Sequence, residues 1–378
     1  MESRDLMTIN GQKLPFGSGD TILEVARRHG IDIPTLCVLK GASPTGACRI
    51  CLVEVEGSGN LVTSCTEPAT AGMVVKTETP RVVQARRMNL ELLLASGHHN
   101  CLEQDMDMHS WAGFQGKAVA VKGHEERCPA YGRCRLQDLA VQYQVRMDRF
   151  TPRETPYPLE DVNPFIIRDF SRCILCGRCV QACNEIQVND AISFGYRGVA
   201  SKIVARADRP LKDSDCVFCG ECLQACPVGA LAPKNGLSLR GYCEDVTMVR
   251  TTCPYCGVGC QLYLHVKDNR VVEVSGVEDG GPNFGSLCVK GRFGYDYIHD
   301  PQRLKIPLIR ENGRFREASW DEALDLVSKR LLYIKGKWGP DSIGVLCSAR
   351  ITNEENYLAQ KFTRAAIGTN NIDHCARL

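Results

Sequence analysis

The sequence of 378 residues has almost no net charge and contains no long apolar run. Its 46 Lys and Arg residues nearly balance 44 Asp and Glu residues, which leaves a formal charge of +2. That charge gives no indication of a nucleic-acid or membrane-surface partner. No stretch is long and apolar enough to cross a bilayer, and polar residues rather than an apolar leader follow Met1. We therefore expect a cytoplasmic protein with reduced cysteines, because disulfide-rich chains are mostly small and secreted.

Cysteine, in contrast, is abundant: the chain has 22. Nineteen of them fall into five groups with metal-ligand spacing. Two groups repeat a Cys-x2-Cys-x2-Cys-x3-Cys run, which is typical of proteins that hold two [4Fe–4S] clusters. Zinc is the less favoured alternative, since its sites combine two cysteine pairs rather than runs of four. The spacing predicts a protein that transfers electrons. The runs are Cys173, Cys176, Cys179 and Cys183, then Cys216, Cys219, Cys222 and Cys226 before Pro227.

In such a repeat, three cysteines of a run bind one cluster and the fourth reaches the neighbouring cluster. We therefore predict one cluster on Cys173, Cys176, Cys179 and Cys226, and another on Cys216, Cys219, Cys222 and Cys183. Each half is expected to be a loop followed by a short helix. Asn184 stands where the second run has Pro227. We expect this difference to loosen the local backbone without removing a ligand.

The first part of the chain is predicted to be β-rich. Residues 6–16 alternate around the turn Asn10-Gly11, and a helix follows with Asp20 as N-cap and Gly30 after its last turn. A third cysteine group resembles the plant-type [2Fe–2S] pattern with a longer first gap. That gap matches the β-grasp domain that opens the large iron–sulfur subunit of respiratory NADH dehydrogenases and many iron-only hydrogenases. The resemblance implies one [2Fe–2S] cluster; four unrelated buried cysteines are the alternative. The group is Cys37, Cys48, Cys51 and Cys65.

A fourth group follows a helix predicted to start at Pro80, with Thr79 as N-cap and Gly97 beyond its end. In the families just named, one histidine and three cysteines bind a [4Fe–4S] cluster here, before a Leu-Gln-Asp tail. The resemblance implies the same cluster in this chain, although the histidine is nearer to the first cysteine and a long insertion precedes the second. His98 is the alternative histidine. The implied ligands are His99, Cys101, Cys128 and Cys134.

The fifth group lies between predicted strands at 261–266 and 270–274. Residues 252–260, TCPYCGVGC, and 287–293, LCVKGRF, are similar to the [4Fe–4S] domain that opens molybdenum and tungsten bis-pterin oxidoreductases, most of all formate dehydrogenase. In that family the lysine after the last cysteine lies between this cluster and a pterin. The resemblance implies this role for Lys290, with an ordinary surface lysine as the alternative. The ligands of the group are Cys253, Cys256, Cys260 and Cys288.

The last part of the chain is predicted to start a doubly wound α/β pterin domain. Capping boxes at Ser319 and Thr352 indicate two helices, and 343–347 reads as a strand of a buried parallel sheet. One such unit is too small to form a core. Residues 368–378 resemble the formate dehydrogenase segment before the metal ligand, which is selenocysteine or cysteine. We expect a reading frame cut at a selenocysteine codon, with a frameshift or a chosen boundary as the alternative. Of the remaining cysteines, Cys243 and Cys347 are expected to be small buried residues.

The expected fold class is multidomain α+β, and the resemblance covers essentially the whole chain. It implies the catalytic subunit of a cytoplasmic formate dehydrogenase with one [2Fe–2S] cluster and four [4Fe–4S] clusters. The full-length protein would add a molybdenum or tungsten bis-molybdopterin guanine dinucleotide. The expected domains are 1–79 ([2Fe–2S] β-grasp), 80–145 (His–Cys [4Fe–4S]), 146–164 (linker), 165–245 (double [4Fe–4S]), 246–303 (bis-pterin-type [4Fe–4S]) and 304–378 (start of the pterin domain).

Electrons from the oxidation of formate to CO2 would pass to a partner subunit that carries flavin and NAD(P), or to ferredoxin. We predict no catalytic residue within these 378 residues, and neither a nucleic-acid partner nor a membrane span. The alternative is a non-catalytic electron-transfer subunit of a hydrogenase or NADH dehydrogenase complex.

Overall fold

The computed structural model describes residues 5–97, 99, 128–130, 133–146, 149–153, 157–234 and 246–375. The chain forms two compact units, Met1–Val246 and Thr247–Leu378. Each unit has its own clusters of buried apolar side chains. Over these ranges, no helix combines the length and apolar character needed to cross a membrane.

The first unit opens with a five-stranded mixed sheet in the order β2-β1-β5-β3-β4. Strands β1 and β5 run parallel, and the other neighbouring pairs are antiparallel. The predicted turn at Asn10-Gly11 is present, with positive φ angles of 50° and 84° that suit a tight hairpin. The strands are β1 (Leu6–Ile9), β2 (Gln12–Pro15), β3 (Leu52–Val55), β4 (Leu61–Thr63) and β5 (Val74–Lys76), and helix α1 (Ile22–Arg28) follows β2.

The N-cap of α1 is Thr21, so the expectation of Asp20 is wrong. The Thr21 hydroxyl accepts a hydrogen bond from the Glu24 N–H, and the Glu24 carboxylate accepts one from the Thr21 N–H. The Asp20 carboxylate instead accepts two hydrogen bonds of 2.8 Å from the Arg28 guanidinium. That bidentate pair is a stronger partner for a carboxylate than a single helix N–H, and it lowers the pKa of Asp20.

Helices α2 (Pro80–Ala95) and α3 (Arg135–Gln142) pack against each other beside this sheet. Helix α2 begins as predicted, with Thr79 as N-cap and Pro80 at its first position. Its buried residues Leu90 and Leu94 join Leu136 and Leu139 of α3 in one apolar core, which also contains cysteines from three predicted cluster sites.

Residues 166–233 carry the two four-cysteine runs, and we call them the double-run region. This region contains two antiparallel strand pairs, β6–β9 and β7–β8. The predicted repeat is visible in the backbone, because Leu175 and Gly177 share their positive φ angles with Phe218 and Gly220. After α4 the helical path continues through 182–186, whereas the second half stops at Ala225. Pro227 explains the stop, since proline cannot continue a helix. The elements are β6 (Ile166–Arg168), α4 (Arg178–Gln181), β7 (Ile192–Gly195), β8 (Lys202–Ala205), α5 (Glu221–Ala225) and β9 (Leu231–Pro233).

The second unit begins with a three-stranded antiparallel sheet, β10 (Thr247–Thr252), β11 (Gln261–Lys267) and β12 (Arg270–Gly276). A short helix, α6 (Val289–Phe293), packs against β12. A hairpin follows, made of β13 (Leu308–Glu311) and β14 (Arg314–Glu317).

The α/β segment after this hairpin has the predicted elements but not the predicted burial. Helix α7 (Trp320–Trp338) has no buried residue. Strand β15 (Val345–Cys347) is shorter than expected and pairs in parallel with β16 (Ile372–His374), with α8 (Asn353–Lys361) between them in the chain. Leu346 is 89% exposed, because two strands and two helices cannot cover both faces of a parallel sheet.

Two smaller expectations for this segment need correction. At α7 the capping box is half formed: Ser319 accepts from the Glu322 N–H, but the Glu322 carboxylate pairs with Arg316 instead. The capping box at Thr352 is complete. Cys347 is half-buried rather than buried, and Cys243 lies outside the described residues.

Candidate iron–sulfur sites

The four cysteines of the predicted [2Fe–2S] site converge in the first unit. All four side chains are buried. The Cys51 and Cys65 sulfurs are 3.3 Å apart, and the Cys37 thiol is in hydrogen-bonding contact with those of Cys48 and Cys65. A hydrogen bond of 3.1 Å from the Ser64 N–H to the Cys51 carbonyl holds the segment before Cys65 against Cys51.

These contacts make the four thiols compete for protons. Contact with Cys48 and Cys65 lowers the pKa of Cys37, whereas contact with Cys37, together with burial, raises the pKa of Cys48. Contact with Cys65 likewise lowers the pKa of Cys51 to about 7. A buried set that shares its protons in this way fits a metal cluster, because thiolate sulfur is the form that binds metal.

The first double-run site is built around a cavity of about 50 Å³, several times the space that one water molecule needs. Cys173, Cys176 and Cys179 of the first run line it together with Cys226 of the second run. The remaining lining is mostly apolar. Burial, together with the smaller effect of nearby Cys226, raises the pKa of Cys173 to about 11 and that of Cys176 to about 12. Four thiols around an apolar cavity fit a [4Fe–4S] cluster.

Cys183 lies on the side of the second run. Its sulfur accepts a hydrogen bond of 3.4 Å from the Ala191 N–H, and its charge acts on Cys216 together with that of Cys219. Cys222 also borders the first cavity. The structure therefore brings Cys183 to the second run, and the ligation of Cys222 to the second cluster stays a prediction.

Of the predicted His–Cys site, His99, Cys128 and Cys134 are described, whereas His98 and Cys101 lie outside the described residues. Cys134 is buried at the start of α3, with its sulfur 3.6 Å from the Pro227 carbonyl oxygen. Cys128 lies against Gly229, where an added Cβ would overlap its sulfur. Both sulfurs therefore contact the 227–229 segment, directly after Cys226. His99 is also buried.

The fifth site lies in the second unit. Cys253 is buried, Cys256 and Cys260 are half-buried, and Cys288 is exposed at the N-cap of α6. Burial raises the pKa of Cys260 most, and the charges of the other three cysteines of the site raise it as well. The Cys253 N–H donates to the Cys260 carbonyl at 2.8 Å, which closes the loop between them.

Two groups around this fifth site come from other elements. The ammonium of Lys290 is close enough to lower the pKa of Cys253 against the raising effects of burial and neighbouring thiols. Asn353, the first residue of α8, donates to the Gly257 carbonyl at 2.6 Å. The loop that carries the cysteines is thus attached to the start of the α/β segment.

The donor sets are rich in thiols, and every described one except Cys288 is buried or half-buried, which suits iron–sulfur clusters. Across the ranges that the structure describes, no three His, Cys, Asp or Glu side chains are placed to hold a single metal ion. Three buried arginines among the described residues were missed in the sequence: Arg86 on α2, Arg168 at the end of β6 and Arg292 on α6. Besides an acidic residue eight positions earlier, Arg86 and Arg168 each donate to a backbone carbonyl more than 30 residues away, which no local pattern identifies.

Four family profiles match successive parts of the chain. They describe a 2Fe-2S iron-sulfur cluster binding domain (residues 6–80), a 4Fe-4S dicluster domain (172–230), a molybdopterin oxidoreductase Fe4S4 domain (246–300) and a molybdopterin oxidoreductase (303–378). The chain thus carries iron–sulfur domains followed by the start of a molybdopterin oxidoreductase domain.

Similar proteins come from several redox systems. A Bacillus subtilis protein, YrhE, whose naming as a formate dehydrogenase is provisional, is 33% identical over 98% of this chain and 39% of its own length. The alpha subunit of an NADPH-Fe(3+) oxidoreductase of Geobacter sulfurreducens is 36% identical over 98% of the chain and 40% of its own length. The chain thus spans about 40% of the length of the curated relatives it matches.

A solved structure is also similar. A chain of an NAD+-reducing [NiFe]-hydrogenase in the H2-reduced state is 31% identical, with a TM-score of 0.52. The match covers 61% of this chain and 87% of the hydrogenase chain.

Proposed function

We propose that the chain is the iron–sulfur part of a formate dehydrogenase, and that the full-length protein oxidises formate to CO2 at a molybdenum or tungsten bis-pterin site. The observation that carries this proposal is the fifth thiol set, with Lys290 beside Cys253, directly before residues that match the molybdopterin oxidoreductase family. The similarity to the B. subtilis relative supports formate as the substrate.

The chain's own residues suit a relay of single electrons. Iron–sulfur clusters bound by these thiols would each accept and release one electron at a time. The side chains fix the positions of such clusters and exclude water, and the apolar lining of the first cavity does both. Cys37, Cys134 and Cys176 belong to one buried core in the first unit. Packed side chains, rather than solvent, therefore join three of the predicted sites.

Lys290 is the residue we assign to the exit from the pterin site. It is exposed, but its charge acts on the buried Cys253 thiol. A positive charge beside the thiolates would favour an additional electron there. We expect Lys290→Gln to slow the reduction of the iron–sulfur clusters by formate in a stopped-flow experiment while leaving the metal content unchanged. Lys267→Gln, in the same unit at the far end of β11, is the matched control.

The decisive experiment uses the full-length protein, purified without oxygen and analysed for metals. Molybdenum or tungsten together with iron, and reduction of a dye by formate, are the expected results. Iron without either metal, and no response to formate, would instead favour an electron-transfer subunit of the kind found in the NAD+-reducing hydrogenase. NADH-driven reduction of the clusters would then identify the partner reaction.

The crossed ligation of the double-run site has a separate test. We expect Cys226→Ala to remove the same electron paramagnetic resonance (EPR) signal as Cys173→Ala, and Cys183→Ala to remove the same signal as Cys216→Ala. If the Cys226 variant matches the Cys216 variant, the assignment is wrong. A partner subunit that carries flavin and NAD(P), or ferredoxin, and a cytoplasmic location complete the proposal.

A further inference from the structure

Arg168 places a buried positive charge at the first double-run cavity. It ends strand β6, is 5% exposed and lines the cavity together with Cys173, Cys176, Cys179 and Cys226. The cysteines and the arginine therefore face the same enclosed space.

The guanidinium of Arg168 is held from several sides. Its Nε and Nη2 atoms donate to the two carboxylate oxygens of Glu160 at 3.0 and 2.6 Å. Its Nη1 atom donates to the Ile203 carbonyl at 3.4 Å, and its plane lies 5.0 Å from the ring centre of Phe170. A side chain fixed in this way cannot swing into solvent.

The partner of Arg168 is also fixed. Glu160 is 14% exposed on its side chain, and its Oε1 atom accepts a further hydrogen bond of 3.0 Å from the Leu211 N–H. A buried ion pair is costly to form and often adds no stability over an apolar pair of the same size. Its place at the cavity therefore indicates a role for the charge itself.

Other cations in this region include Arg178, whose charge favours the thiolate forms of Cys176 and Cys226, and Lys202, which is paired. Lys202 contacts Asp208 at 2.8 Å and lies over the rings of Tyr157 and Phe170. The electrostatic effect of Arg168 also reaches the cysteines, since it favours the thiolate form of Cys173 in the first run and of Cys216 in the second.

We propose that Arg168, held in place by Glu160, sets the reduction potential of the cluster bound by Cys173, Cys176, Cys179 and Cys226, and raises it relative to that of the second cluster. The proposal rests on the proposed function, because it requires a [4Fe–4S] cluster in this cavity. Reduction adds a negative charge, and a cation in a medium of low dielectric stabilises the reduced form. Loss of the arginine charge should lower the potential, and loss of the glutamate charge should raise it.

The test is an EPR-monitored redox titration of the full-length protein, with iron and sulfide measured in every sample. For Arg168→Gln we expect at least a tenfold loss in the one-electron reduction equilibrium of the first cluster, which is about 59 mV. Glu160→Gln should shift the equilibrium the other way, and Arg168→Lys, which keeps the charge, should stay nearer to the wild type. A merely structural role would not produce shifts of opposite sign.

The matched control is Arg206→Gln. Arg206 forms an ion pair with Asp215 in the same region, but its side chain is 70% exposed, so water and salt screen its charge. We expect less than a threefold change for this variant. If Arg168→Gln fails to assemble the cluster, the rise in potential expected for Glu160→Gln still tests the sign, and a fall for that variant overturns the proposal.

The proposal is overturned if variants with full iron content leave the potential unchanged, or if the Arg168→Gln and Glu160→Gln shifts share one direction. Failure of the proposed function looks different. In that case the protein would contain iron without molybdenum or tungsten and would not respond to formate, whereas the opposite shifts of the Arg168 and Glu160 variants could still be measured.

Discussion

Replacing the buried Arg86 should destabilise the first unit by about 3 kcal/mol. The Arg86 side chain is fully buried, and its guanidinium donates to the Leu52 carbonyl at 2.8 Å and to the Tyr143 hydroxyl at 2.7 Å. It also contacts Glu78. Since Leu52 is in the sheet and Tyr143 follows α3, this one side chain connects three elements.

The magnitude follows from the exposure of each partner. A hydrogen bond to a charged group contributes about 1.5–3 kcal/mol, and Arg86→Met removes two that are buried. The side chain of Glu78 is 54% exposed, so water can solvate its carboxylate and the full cost of about 3–5 kcal/mol for breaking a buried ion pair does not apply. Methionine refills most of the volume with apolar contacts, which offsets part of the loss.

The assay is urea unfolding, followed by the visible circular dichroism of the [2Fe–2S] cluster in anaerobic samples. Arg81→Met is the control on the same helix, because Arg81 is half exposed and an exposed ion pair contributes at most about 1 kcal/mol. A free energy of unfolding for Arg86→Met within about 0.5 kcal/mol of the wild type would refute the reasoning. A loss of similar size in both variants would refute it as well.

Three further predictions concern single positions. Gly229→Ala should release the iron of one cluster, because the new methyl group would overlap the Cys128 sulfur; an iron content equal to that of the wild type would contradict this. Burial raises the pKa of Asp138. The ionised carboxylate therefore destabilises the fold at pH values above this raised pKa, and the cost is absent at pH values below the unfolded pKa of 3.8. Asp138→Asn should therefore raise the thermal midpoint at pH 7 and lose that advantage near pH 3. A Cβ added at Gly336 in α7 meets no neighbouring atom of the described residues within 4 Å. Because alanine favours a helix more than glycine does, Gly336→Ala should stabilise its unit by at most about 1 kcal/mol in thermal unfolding. A loss of stability would show that the position is packed.

Local sequence signals predicted the local structure well. The hairpin at Asn10-Gly11, the start of α2 at Thr79-Pro80 and the complete capping box at Thr352 are all present. Local signals failed where an arginine outside the first helical turn competed for the same carboxylate. Arg28 binds Asp20, and Arg316 binds Glu322, so neither carboxylate serves its helix as the local pattern predicted.

The cysteine groups themselves are a property of the sequence. Short spacings such as Cys173-x2-Cys176 oblige the backbone to turn, and the positive φ angles of Leu175 and Gly177 are the result. Any fold of this chain would bring such neighbours together, because only a few bonds separate them. The iron–sulfur domains and the molybdopterin-type segment could therefore be predicted before any tertiary contact was known.

Only the tertiary structure decided which distant groups share a site. It placed Cys128 and Cys134 against the 227–229 segment, and Arg168 beside the thiols of the first cavity, held there by Glu160 and the Ile203 carbonyl. Such contacts depend on how the elements pack, and packing depends on the summed burial of many side chains. No short stretch of sequence encodes that sum, which is why the buried charge at the first cavity emerged only from the fold.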